Sequence, residues 1–303
     1  MSDTPNPDLG TTRCSQGSVA SAPTISVVVA TRDRPEVLAR CLASLARQTA
    51  APLEIVVVDD GSADAQAVRA VVARARAEGP DGARWVLIEG GGHGPAAARN
   101  LGARCACAAI VCFTDDDCRP EPDWAQRLRA GCAGGAAAAG TTTADPEAGP
   151  AAAASQLITH TLQLASLDAA AGTLGFAPTC NLACSASILR ELPFDETFPL
   201  AAGEDRDWCS RLASAGVALR FVPDAVVEHR PRMGVGGLLR QQARYGRGAV
   251  RFRGAGAQRR LSGRAFYGRL ARAAVRGGPR IAALVVLAQV AGAAGALREA
   301  AAR

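Results

Sequence analysis

The sequence contains no lysine, so all 34 of its basic residues are arginine. That excludes a lysine Schiff base and a Walker-type phosphate loop, both of which need the ammonium group. Aromatic residues are scarce at 4%, and the three histidines lie far apart. The ten cysteines include no C-x-x-C pair. This argues against zinc and leaves them as small core residues suited to a reducing cytosol. No acid occurs between Gly234 and Arg280. Residues 1–23 are polar and rich in Pro, Ser and Thr, which reads as a disordered tail and not as a secretory leader.

What is present is a chain of 303 residues, 49% hydrophobic, enough to bury a core in one large domain or two small ones. The net charge of +6 divides between a neutral to acidic body and a basic C-terminal part. Such a segment suits anionic lipid, a phosphorylated acceptor or nucleic acid.

Short β-branched runs predict strands at Thr24–Ala30, Leu53–Val58, Trp85–Ile88 and Ile110–Thr114. Between them, apolar spacing predicts helices at Pro35–Gln48, Asp64–Glu78 and Pro95–Ala103. Alternation of this kind gives a mostly parallel α/β sheet, whose ligands sit at the carboxyl ends of the strands. Thr31-Arg32-Asp33, Asp59-Asp60, Gly92-His93-Gly94 and Asp115-Asp116-Asp117 all fall at those ends. The stretch Gly131–Ala154 has no clear pattern. Pro178–Leu189 reads as strand then helix, Asp207–Gly216 as a helix, and Val217–Val222 as a last strand, with Val226–His229 following.

The aspartate triplet ends an apolar run. Carboxylates packed this closely repel one another, and a divalent cation is the usual remedy, with Mg²⁺ or Mn²⁺ suited to hard oxygen ligands. An acidic helix N-cap is the competing reading. Gly92-His93-Gly94-Pro95-Ala96-Ala97 imitates a dinucleotide fingerprint. However, two strands precede it, the acids downstream form a triplet, and Pro95 is simply a good first helical residue.

In their order and spacing, these segments resemble the family-two glycosyltransferases over about Thr24 to Arg230. The match runs through Val27 to Pro35, Ile55 to Ser62, Gly94 to Asn100 and the aspartate triplet. It continues through Asn181-Leu182-Ala183, Pro193-Phe194-Asp195-Glu196, Gly203-Glu204-Asp205 and Glu228-His229. The resemblance implies a GT-A type, Rossmann-like, mostly parallel sheet flanked by helices. Residues 24–230 would form the catalytic domain, and 231–303 an Arg-rich helical extension. It also implies an inverting transferase that moves a sugar from a nucleoside-diphosphate sugar to an acceptor hydroxyl, with Mg²⁺ or Mn²⁺ as cofactor. Thr31, Arg32 and Asp33 would line the base pocket, Asp60 would hold base or ribose, and Arg99 would face the nucleotide. Asp117 would bind the metal with His229 nearby, while Asp115 or Asp116 would serve the ribose or support the ligands. Asp205 would be the general base, with Glu204 beside it. Asp195-Glu196 reads as a structural turn, and Trp208 either lines the acceptor pocket or is buried.

Two other functions compete. A sugar-nucleotide nucleotidyltransferase wants a Gly-rich loop after the first strand, and Thr31-Arg32-Asp33-Arg34-Pro35 has no glycine. A non-catalytic nucleotide-sugar-binding subunit predicts lost acids, yet the triplet, Asp205 and His229 are present. The acceptor is expected to be a carbohydrate, a lipid-linked molecule or a small molecule. Nucleic acid is disfavoured, since few aromatics interleave the arginines. Arg240, Arg244, Arg247, Arg251 and Arg253 recur at near-helical spacing, and only Gln289 is strongly polar in Ile281–Leu297. That predicts a cytoplasmic enzyme held peripherally on the inner face of the cell membrane by an anionic surface.

Overall fold

The computed structural model describes residues 22–51, 53–80, 82–198, 202–254 and 263–302. The expected N-terminal tail up to residue 21 and the side chain of Arg253 lie outside the described residues. The first half runs β1 (Ile25–Thr31), α1 (Pro35–Leu45), β2 (Leu53–Asp59), α2 (Ala65–Glu78), β3 (Arg84–Glu89), α3 (Pro95–Cys105) and β4 (Ile110–Asp115). It continues through β5 (Cys118–Pro120), α4 (Trp124–Gly131), β6 (Ala137–Ala144), α5 (Gly149–Ala165), β7 (Leu167–Asp168) and β8 (Thr173–Leu174). Next come β9 (Leu182–Ser185), α6 (Ala186–Glu191), α7 (Glu204–Ser214) and β10 (Leu219–His229). Three helices follow, α8 (Val235–Gly254), α9 (Arg264–Arg276) and α10 (Pro279–Ala301).

The strands form one sheet in the order β3-β2-β1-β4-β9-β6-β10-β8-β7, with β5 paired to β10. β1 to β4 are mutually parallel, and β10 is parallel to β6. β9 runs antiparallel between β4 and β6, so the sheet is mixed, and its long strands run in one direction.

Successive side chains of a strand point to opposite faces, and here both faces are covered. Val27 and Val29 join Leu38, Leu42, Val68 and Trp124 under α1, α2 and α4. Val28 and Phe113 join Leu189, Trp208 and Leu212 under α3, α6 and α7. A third core is made by α5 together with α8, α9 and α10, through Ile158, Leu162, Leu238, Phe266, Leu270 and Val285.

Two stretches depart from the sequence expectation. The unpatterned Gly131–Ala154 contains all of β6 and the start of α5. The two runs Val217–Val222 and Val226–His229 are parts of one strand, with a register shift between Val222 and Val226. Asn181 secures that irregularity: its Nδ2 donates to the Ala225 and Thr141 carbonyls at 3.0 and 2.9 Å, and its Oδ1 accepts from Trp124 Nε1 at 2.8 Å. Trp208 is fully buried and donates to the Leu192 carbonyl at 2.8 Å, so it does not line the acceptor pocket. Asn100 binds the Phe194 backbone at both its amide atoms and donates to Glu196 Oε1. The turn through Asp195-Glu196 is thereby fastened to α3.

Candidate active site

The parallel register brings the ends of β1, β2 and β4 level, with Thr31 opposite Asp59 and Ala30 opposite Asp115. Beyond Asp115 the chain turns and returns as β5 along β10. Cys118 then pairs with His229, and the Arg230 amide donates to the Asp117 carbonyl at 2.8 Å. This register, and no local motif, brings Asp117 to His229, whose Nε2 lies 3.3 Å from Asp117 Oδ1.

The three aspartates separate into three environments. Asp116 is fully buried, accepts from the Thr31 hydroxyl at 2.7 Å and pairs with Arg34 Nη2 at 2.5 Å. Burial pushes its carboxyl up to about 7 despite Arg34. Thr31 and Asp116 therefore hold each other beneath the strand ends, both buried. Asp117 is mostly buried, and burial opposes its charge. The His229 ring and Arg34, 3.2 Å away, overcome this and hold the carboxyl at about 2. His229 is also buried, yet Asp117 holds it at about 9. Asp115 is the most accessible of the three and binds Arg99 Nη2 at 2.8 Å.

Gln156 of α5 orients the histidine. Its Nε2 donates to the Thr142 carbonyl at 2.8 Å, leaving its Oε1 3.1 Å from His229 Nδ1. Nδ1–H therefore donates to the glutamine, and Nε2–H faces Asp117; a cation taking that position would replace the Nε2 proton and accept its lone pair. A carboxylate and an imidazole so arranged fit a hard divalent cation whose shell is completed by phosphate oxygens. Cys118 Sγ also lies within 4.8 Å of these ligand atoms. Burial and its partner Cys180 push that thiol well above its usual range, so it stays protonated and ligates poorly.

The loops after β1, β2 and β3 interlock. The Asp33 amide donates to Ser62 Oγ at 2.8 Å, and Asp33 Oδ1 accepts from the Ala63 amide at 2.7 Å. Asp33 thereby latches two loops together, while Arg32 is exposed beside it, 3.7 Å away. Asp60 Oδ2 accepts from the Gly94 amide at 2.9 Å, and its buried Oδ1 has no partner among the described residues.

Arg99 is buried on α3 and joins the two walls of the site. It binds Asp115 with Nη2 and Glu204 with Nη1, the latter at 3.2 Å. Burial opposes its charge, but Asp115 and Glu204 raise its pKa well above the ordinary arginine value. Glu204 and Asp205 open α7, where Gly203 turns the chain at φ 103°. A Cβ at Gly203 would crowd Phe198 and the Gly248 carbonyl of α8. Burial and the neighbouring Asp205 push Glu204 up to about 7, against Arg99. Burial also raises Asp205, opposed by Arg206, whose amide donates to Asp205 Oδ1 at 2.8 Å.

Arg99, Asp115, Glu204, Asp205, His229 and Tyr245 line one cleft of about 360 Å³, within the range of small-molecule sites. Its remaining walls come largely from α5, α8, α9 and α10. Sequence reasoning missed Arg34, Gln156 and Tyr245. His93 and His160 lie outside the lining of this cleft.

Residues 26–192 match the model of glycosyl transferase family 2, and residues 110–294 that of glycosyl transferase family group 2. The glycosyltransferase AglE of Haloferax volcanii is 29% identical over 244 residues, covering 76% of this chain and 74% of that protein. The pre-mycofactocin glycosyltransferase of Mycobacterium tuberculosis is 30% identical over 233 residues, covering 75% of this chain but 47% of that one. A mannosyltransferase of Pyrobaculum calidifontis, solved with GDP-Man and Mn²⁺, superposes with a TM-score of 0.60 at 22% identity, over 93% of this chain and 79% of that chain. The parallel sheet edge, the carboxylates gathered there and these matches agree: the chain belongs to glycosyl transferase family 2 and is a glycosyltransferase of the GT-A fold.

Proposed function

We propose that the protein transfers a sugar from a nucleoside-diphosphate sugar to an acceptor hydroxyl with inversion at the anomeric carbon. The observation that carries this reading is one cleft lined by His229, Asp115, Glu204 and Asp205, with Asp117 paired to His229 just outside its lining. The His229–Asp117 pair stands on one side and Glu204 with Asp205 on the other, and Arg99 links Glu204 back to Asp115.

Asp117 and His229 are the residues that would hold Mg²⁺ or Mn²⁺. The cation, when bound, offsets the negative charge that builds on the departing diphosphate. The Mn²⁺ and GDP-Man in the Pyrobaculum complex support a metal and a nucleotide-sugar donor. Arg34 and Gln156 keep the two ligands oriented. Asp60, with one unpartnered carboxylate oxygen, is the candidate for base or ribose, beside Arg32 and Asp33. Asp115 takes the ribose, and Asp116 supports the loop from beneath.

Asp205 accepts the proton of the acceptor hydroxyl. A half-buried carboxyl with a raised pKa is a stronger base than a fully exposed one. Glu204 supports it and fixes Arg99. One base and a direct displacement invert the anomeric centre. The acceptor is a carbohydrate, a lipid-linked molecule or a small molecule.

The test is nucleotide release from a panel of nucleotide sugars, with and without Mn²⁺, and NMR assignment of the product's anomeric configuration. Turnover that persists in excess chelator would overturn the metal role. A product retaining the donor's configuration would overturn the single displacement.

A further inference from the structure

α10 has two faces of different character. Val285, Ala288, Gly295 and Glu299 are buried. A Cβ on Gly246 of α8 would collide with the Gly292 carbonyl, and one on Gly295 with the Ala243 carbonyl. The backbones of α8 and α10 are therefore in contact. Glu299 fastens the far end, pairing with Arg247 Nε at 3.0 Å and Arg251 Nε at 2.8 Å.

The opposite face is a stripe at helical spacing. Ala283, Val286, Leu287, Val290, Ala294 and Leu297 are all exposed, and none is polar. Val286 and Val290 are each 62% exposed and Leu297 72%. Gln289, the strongly polar residue of this run, lines the cleft instead. A helix on a water-facing surface carries polar residues along its outer stripe, and this one does not. Arg280 and Arg298 lie on the row through Leu287 and Ala294, at the two ends of the stripe. Nearby on α9, Arg269, Arg272 and Arg276 are exposed together with Tyr267 and Val275.

We infer that this stripe lies flat on an anionic lipid bilayer, with the flanking arginines among the headgroups. An apolar helix face bordered by arginine has the composition of an in-plane interfacial helix. The absence of acid from Gly234 to Arg280 matches an anionic surface and opposes pairing with a second, equally basic copy. α10 is long and apolar enough to cross a bilayer, but crossing would break its backbone contact with α8 and strand Glu299 away from its arginines. Ala288, Gln289 and Gly292 of the same helix also line the cleft. A docked molecule thus works about one helix diameter, roughly 10 Å, from the headgroups.

The test is sedimentation of the full chain with phosphatidylcholine vesicles, with and without phosphatidylglycerol, in low and high salt and after a carbonate wash. The comparison is the triple variant Val286→Asp, Val290→Asp, Leu297→Asp, with folding checked by circular dichroism and oligomeric state by light scattering. The expected result is binding to phosphatidylglycerol vesicles, release by salt or carbonate, and a loss of roughly tenfold or more in the variant, as expected for removing several buried apolar groups. The variant should retain its unfolding midpoint and its activity on a soluble acceptor. A full chain that stays in the supernatant at low salt overturns the inference, as does a folded variant that binds equally well. Resistance to carbonate would mean a true span, and a dimer that the variant dissociates would mean that a second copy covers the stripe. Binding is read without turnover, so its failure is separable from failure of the transfer chemistry.

Discussion

Glu204→Gln should alter stability in a way that depends on pH. The Glu204 carboxyl is raised from 4.5 to about 7 in the fold, first by burial and then by Asp205. Below about pH 4.5 both folded and unfolded chains hold its proton. As pH rises, the unfolded chain releases the proton first, so the native state loses stability until pH passes about 7, above which both have released it. At roughly 1.4 kcal/mol for each tenfold change in proton affinity, the loss is about 3 kcal/mol. Glutamine carries no such proton and can still accept from Arg99 Nη1 through its carbonyl, so Arg99 keeps both partners. Urea unfolding of both proteins at pH 5, 6, 7 and 8 gives the comparison. Whatever the offset at pH 5, the difference should move in favour of the variant by about 2 kcal/mol by pH 8, since part of the loss is already present at pH 5. A difference that stays constant over that range would refute the reasoning, because Glu204 would then have an ordinary pKa in the folded protein.

Other expectations follow from the same geometry. Asp117→Asn should fold, weaken binding of the nucleotide sugar and abolish metal-dependent turnover, as measured by calorimetry and nucleotide release. Asp205→Asn should bind donor almost normally and lose about 10²–10⁴-fold in kcat, the usual worth of a general base; a loss confined to KM would contradict its role. Gly246→Val forces a side chain into the Gly292 carbonyl and should cost about 1–3 kcal/mol in thermal unfolding, the usual cost of overpacking.

Much of the fold was legible in the sequence because local signals agreed with it. Val27 to Val29 and Ile55 to Val58 are β-branched runs that become fully enclosed in parallel strands, and Asp64 caps α2 through the Ala67 amide. β6 was not legible. Its sequence, Ala-Ala-Ala-Gly-Thr-Thr-Thr-Ala, has little strand preference in its first half. Alanine stands there because the space between neighbours is narrow, and at Gly140 a Cβ would strike the Ala225 carbonyl. Within the site, the clustering of the triplet at a strand end could be read directly, but the separate environments of its members could not. Arg34 looks like an ordinary loop residue until Asp116 is seen buried against it. Gln156 belongs to a helix that the unpatterned Ala-rich stretch concealed. The pairing of Asp117 with His229 depends on the register of β5 along β10, and a register over so long a separation leaves no trace in local sequence.

The bridge made by Arg99 bears on how members of this family can be recombined. The residues proposed to bind the donor come mostly from the chain up to Asp117, while Glu204, Asp205 and most of the cleft proposed for the acceptor come from later segments. A hybrid enzyme joining the first part of one relative to the last part of another is a natural route to new donor–acceptor combinations. A crossover between Asp115 and Glu204 would cut through a matched set of three charges. It could leave a buried guanidinium facing one carboxylate too few, or Glu204 buried with no cation, and breaking a buried pair in this way costs about 3–5 kcal/mol. Hybrids that inherit Arg99, Asp115 and Glu204 from one parent avoid that loss, so the useful junctions lie before α3 or after α7.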